Sequence, residues 1–100
     1  MQYTQLQQSY CDDVLAEAIY SREVEYFHYS FDAGNFARLL NAMPAGAYRS
    51  DIEARLASTI EQMGNVELIY NALLEQVTDA DAHAAAVLRT TAKRNNAVPN

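Results

Sequence analysis

An all-α fold is what this sequence predicts: a small antiparallel bundle of three long helices and one short one. Three observations carry that reading. Only three Gly and two Pro interrupt 100 residues. Few runs of Val, Ile or Thr alternate with polar residues, so the period-2 signature of strands is missing. Apolar residues instead recur three and four apart over stretches too long for strands. A chain of this length makes one domain, 1–100, with room for a modest core, and its ends, 1–8 and 95–100, are expected to fray.

The first helix is expected at about 9–30. Thr4-x-x-Gln7 is a capping-box pattern, and Ser9-x-x-Asp12 offers a second start with a carboxylate where the helix dipole favours one. Its main apolar stripe reads Cys11, Leu15, Ala18, Arg22, Tyr26 and Tyr29. Cys11 on that stripe reads as a buried thiol. Arg22 reads as a structural residue, snorkelling or paired with a nearby acid. Half of the ten aromatic residues crowd into Tyr26–Phe36. Tyr20, Val24, Phe27 and Phe31 form a second stripe, roughly 120–140° round the helix from the first. A helix apolar on two sides must be covered twice.

Phe31-Asp32-Ala33-Gly34 reads as a break, with Gly34 able to end the helix. A short helix at 35–42 then presents Phe36, Leu39 and Leu40. Met43-Pro44-Ala45-Gly46 is a turn, because the residue before proline avoids the α region. The third helix, at about 48–77, carries the stripe Tyr48, Ile52, Leu56, Thr59, Met63, Val66, Tyr70, Leu73 and Val77, widened by Ile60, Ile69 and Leu74. Ser50-x-x-Glu53 suggests that its regular part begins at Asp51. Gly64 in its middle costs up to ~1 kcal/mol relative to Ala, unless a neighbour packs close there. Thr78-Asp79-Ala80-Asp81 caps a last helix at 79–93, which Val87 and Leu88 are expected to dock.

The formal charge is −6, unevenly spread. All 13 acids lie within residues 1–88, whereas Arg89, Lys93 and Arg94 stand in the last twelve residues without an acid. An acidic body does not neutralise phosphates, so direct nucleic-acid binding is not expected. Gly34–Arg55 could trace a helix-turn-helix, but Asp51, Glu53 and Glu61 on its would-be recognition helix speak against that. The charge suits a basic partner. A single cysteine leaves no internal disulfide and fits a reducing cytosol. No apolar run approaches the roughly 20 residues of a membrane span. No secretory leader pattern opens the chain.

Chemistry finds little to work with. Glu25-x-x-His28 has the spacing that four-helix di-iron proteins use twice, but it occurs once. No metal and no cofactor are therefore expected. No nucleophile elbow, P-loop or dinucleotide fingerprint is present. What remains is binding. Asp12, Asp13 and Glu17 lie together on the first helix, Glu23 and Glu25 flank the aromatic stretch, and Asp32 follows it. Carboxylates beside Tyr20, Phe27 and Phe31 make a surface of rings that bury and charges that choose.

The segment Tyr3-Thr4-Gln5-Leu6-Gln7-Gln8-Ser9-Tyr10-Cys11-Asp12-Asp13, with Tyr26-Phe27-His28-Tyr29, resembles the small phage anti-CRISPR proteins of the type I-F group. The resemblance implies a non-enzymatic inhibitor in the cytoplasm of a bacterial host. Such a protein docks on the Cas subunits of a crRNA-guided surveillance complex and occupies basic surface that target DNA needs. Two alternatives come from other classes: a phage structural or assembly helper acting by self-association, and a four-helix metal-binding protein.

Overall fold

The computed structural model describes residues 4–97, which form three α-helices: α1 (Gln5–Ala42), α2 (Ala47–Leu74) and α3 (Ala80–Ala97). No strand occurs among the described residues. The chain clusters into two compact units, one of Met1–Ser21 with Asn71–Asn100 and one of Arg22–Tyr70. Both α1 and α2 contribute to each.

The start of α1 follows the first of the two caps. Gln7 N–H donates to Thr4 Oγ1 at 3.2 Å, and Thr4 N–H donates to Gln7 Oε1 at 2.9 Å. That reciprocal pair satisfies two donors a helix end leaves orphaned. Residues 5–8 are therefore helical rather than frayed. Residues 1–3, also expected to fray, lie outside the described residues.

The expected break at Phe31–Gly34 is absent: α1 runs through it, and the short helix 35–42 is its last two turns. The physical reason is register. Tyr29, Ala33, Phe36 and Leu40 are all half-buried and spaced four, three and four, so one unbroken helix keeps them on one side. Burial of that side outweighs the ~1 kcal/mol a helical glycine costs. The chain turns later. Pro44 cannot continue the ladder, and Gly46 has φ +152°, a backbone region open to glycine almost alone. Arg49 closes the corner, donating from Nη1 to the carbonyls of Leu40 (2.6 Å) and Met43 (2.8 Å). The Leu40 carbonyl otherwise accepts only a long bond from Met43 N–H at 3.4 Å, and carbonyls at the end of a helix lack partners within it.

In the unit Arg22–Tyr70, the second half of α1 and α2 run antiparallel. Tyr70 meets Glu23 at one end and Arg49 meets Leu40 at the other. Ile52 and Val66 are its buried residues, and Leu56, Thr59, Met63 and Tyr70 lie half-buried on the same stripe of α2. The sequence stripe of α2 is thus the packed face, except for Tyr48, which is exposed. Ile60, Ile69 and Leu74 do not widen it, being exposed as well. Ser50 does not cap α2 either. It sits inside the first turn, with its hydroxyl donating back to Gly46 O at 3.3 Å, and Glu53 pairs with Arg49 at 3.0 Å.

In the other unit, α3 runs parallel to the first half of α1, since Asp13 pairs with Arg89 (2.8 Å) and Glu17 with Arg94 (3.0 Å). Asp79 caps α3 through a bond from Ala82 N–H at 3.1 Å. The helix docks through small residues. Ala86 is fully buried and Thr90 nearly so, whereas Leu88 is 74% exposed and Val87 is exposed too. The expected docking by Val87 and Leu88 is therefore replaced by a line through Ala82, Ala86, Thr90 and Arg94, four residues apart. The two ion pairs set its rotation, and alanine lets the backbones approach. Thr90 satisfies its hydroxyl on Val87 O at 3.2 Å. Residues 95–97 continue the helix rather than fraying, and residues 98–100, also expected to fray, lie outside the described residues. On α1 this unit buries Ala16 and Ile19, and Cys11 is exposed, not the buried thiol its stripe suggested.

Candidate protein-binding surface

The carboxylates expected to face a partner divide into two groups. Asp13, Glu17 and Glu25 are held within the chain, by Arg89, Arg94 and Arg22 respectively. Two of the basic residues near the C-terminus, Arg89 and Arg94, are thus the partners of Asp13 and Glu17 near the N-terminus. That pairing was open to sequence reasoning only as a charge asymmetry, because the two sets lie some seventy residues apart. Half-exposed pairs of this kind stabilise by roughly 0–1 kcal/mol each, enough to bias how a helix sits but not to hold the fold, and they blunt the local charge.

The second group lacks a cationic partner among the described residues. Asp12 accepts a bond from Gln8 Nε2 at 3.2 Å. Glu23 accepts one from the Tyr70 hydroxyl at 3.3 Å, and Asp32 is exposed with no side-chain bond. Partial burial pushes the Tyr70 pKa above its ordinary value, and the Glu23 charge and hydrogen bond push it further in the same direction.

The rings divide too. Tyr20 lies under the Arg94 guanidinium, whose carbon stands 3.6 Å from the ring centre, so a cation–π contact and the Glu17 pair hold that arginine together. Arg94 Nη1 is close to Glu17 but is not aligned for a hydrogen bond to it. Phe27 and Phe31, by contrast, are 67% and 59% exposed. Phe27 stands edge-on to the ring of His28, itself exposed. Val24 of the same stripe is half-buried. Of the predicted surface, then, Phe27 and Phe31 flanked by Glu23 and Asp32 form the part that nothing within the unit covers.

A feature that sequence reading passed over lies in the unit containing α3. Leu6, Tyr10 and Val14, spaced by four on α1, are 81%, 70% and 52% exposed and border a groove that Lys93 also lines. Their i, i+4, i+8 spacing was a legible signal. A separate cleft of about 440 Å³ brings Cys11, Asp12 and His83 to one wall. No hydrogen bond joins the thiol to the imidazole there, and His83 Nδ1 is buried without a partner. The cleft therefore lacks the nucleophile–base contact of a catalytic thiol. Glu25 is engaged by Arg22, and no group of three His, Cys, Asp or Glu residues able to hold a metal ion occurs among the described residues. No helix among them is long and apolar enough to cross a membrane.

Compared with family models, curated proteins and solved structures, the chain matches none.

Proposed function

We propose that the chain is a non-catalytic protein-binding inhibitor that occupies a basic surface on another macromolecule. In the form the anti-CRISPR resemblance implies, it docks on the Cas subunits of a type I crRNA-guided surveillance complex in the bacterial cytoplasm and blocks target DNA. The observation that supports this is the set of carboxylates left without a cation, Glu23 and Asp32, beside the bare rings of Phe27 and Phe31 on one helix. A surface built to hold DNA presents Lys and Arg to phosphate, and carboxylates at that spacing compete for the same cations. Exposed apolar rings add the desolvated area that charge alone does not supply.

The test is a pull-down of the purified surveillance complex on the immobilised chain, with and without target DNA. The reading predicts retention that pre-bound DNA prevents and that weakens as salt rises. It also predicts slower association for the Asp12→Lys, Asp32→Lys variant, which touches no ion pair of the fold. No retention at low salt, or retention with DNA binding unchanged, would contradict it.

Self-association, as in a phage assembly helper, is favoured by a different observation. Large apolar side chains from Leu6 to Leu88 stand exposed along all three helices.

A further inference from the structure

We propose that the exposed face of α1 in the unit Arg22–Tyr70 is covered by a second copy of the same chain, packed antiparallel across Phe27 and Phe31. The inference does not rest on the surveillance-complex reading and competes with it for Phe27 and Phe31: a chain that is dimeric through these rings cannot offer them to another macromolecule.

Three observations carry it. The first is exposure. Phe27 and Phe31 are 67% and 59% exposed, two large rings one turn apart that their own unit leaves open. The second is Gly34. It lies inside a continuous helix, one turn from Phe31 and on the same side, and a Cβ built there meets nothing within 4 Å. The fold of one chain therefore gives no reason for a glycine that weakens the helix. Close approach of another helix does. A two-fold axis that sets Phe27 against the copy's Phe31 brings Val24 to the level of the copy's Gly34, a side chain that fills against a residue that has none.

The third is charge. The face is uncharged from Val24 to Gly34 along its centre, acidic at one end (Glu23) and basic at the other (Arg38). Arg38 is bonded to Asn35 of its own helix and has no acid partner among the described residues. Antiparallel packing carries the Glu23 end of each copy to the Arg38 end of the other. A parallel arrangement sets like against like. A self-complementary patch of this kind is what an isologous two-fold interface requires.

Sedimentation equilibrium of the full chain tests this, run at low and high salt on the wild type and on Phe31→Arg, Gly34→Gln, Glu23→Lys, Arg38→Glu and the Glu23→Lys, Arg38→Glu double variant. The wild type should sediment at twice the 11.2 kDa chain mass. Rising salt should not dissociate it, since the contact is mainly apolar and the chain carries net charge. Phe31→Arg should raise the dissociation constant at least a hundredfold with helicity kept. Gly34→Gln should raise it at least tenfold while the monomer melts no lower, because glutamine is the better helix former and fits the open space within one chain. Each single charge change should weaken the dimer, and the double variant should recover it. A wild type that stays monomeric at 100 µM overturns the proposal. So does a dimer indifferent to Phe31→Arg and Gly34→Gln, which would lie on another face. Failure of the double variant to recover overturns the antiparallel order. A monomeric chain that still captures the surveillance complex would sink this inference and leave the proposed function standing.

Discussion

Arg49, Arg94 and Tyr70 show what single residues contribute, and none of the three announces its role in the sequence. Arg49 stands in a stretch that reads as a turn followed by a helix start. Its two bonds to the carbonyls of Leu40 and Met43 exist only because the chain folds back there. Arg94 divides its guanidinium between Glu17 and the Tyr20 ring, a pairing no local spacing encodes. Arg22, in contrast, was legible. An arginine on an apolar stripe with an acid three residues on has one economical solution, and it pairs with Glu25. Tyr70 gives a prediction with a definite sign. Its pKa is raised by partial burial and by Glu23, so the folded state favours the neutral phenol. The contribution is complete below the ordinary tyrosine value near 10.0 and is lost as pH rises through the higher folded value. Urea denaturation of wild type and Tyr70→Phe should therefore show a stability advantage of the wild type that shrinks as pH rises above 10.0. An advantage that grows with pH, or does not change, would contradict the assignment.

Among the helices, α2 is the one the sequence describes best. Eight of the nine stripe residues, Ile52 to Val77, are buried or half-buried. A long run of three-four spacing allows only one helix phase, and from Ile52 to Tyr70 that face packs within the unit Arg22–Tyr70. The departures occur where local signals compete. Gly34 suggested a stop, but four residues in register across it, Tyr29 to Leu40, keep α1 whole. Val87 and Leu88 are the largest apolar residues of α3, but its orientation follows Ala86, Thr90 and two ion pairs. Hydrophobicity alone misjudges a helix that packs through alanine. Gly64 supplies a test at this scale. It lies within α2, and a Cβ there meets nothing within 4 Å. Gly64→Ala should then stabilise the chain by roughly 0.5–1 kcal/mol, a rise in melting temperature of about 2–8 °C by calorimetry. A loss of stability would mean that another helix packs on that glycine.

At the scale of the whole molecule, few residues are buried and much apolar surface is not. Among the described residues Ala16, Ile19, Ile52, Val66, Ala86 and Thr90 are the buried ones, and none is a large side chain sealed from solvent. The doubly apolar character of α1 was legible as two stripes on one helix. What meets Phe27 and Phe31 on the second stripe was not, because no spacing in the sequence names a partner. The exposed rings of Phe27 and Phe31, the glycine on the same face and the opposed charges at its ends are the observations behind the proposed second copy. The most direct measurement is the thermal midpoint of the full chain over a hundredfold range of concentration. If a second copy covers Phe27 and Phe31, dissociation accompanies unfolding and the midpoint rises steadily with concentration, with Phe31→Arg flattening the dependence. A midpoint that stays constant over that range would show a chain that is complete alone, and would contradict the account.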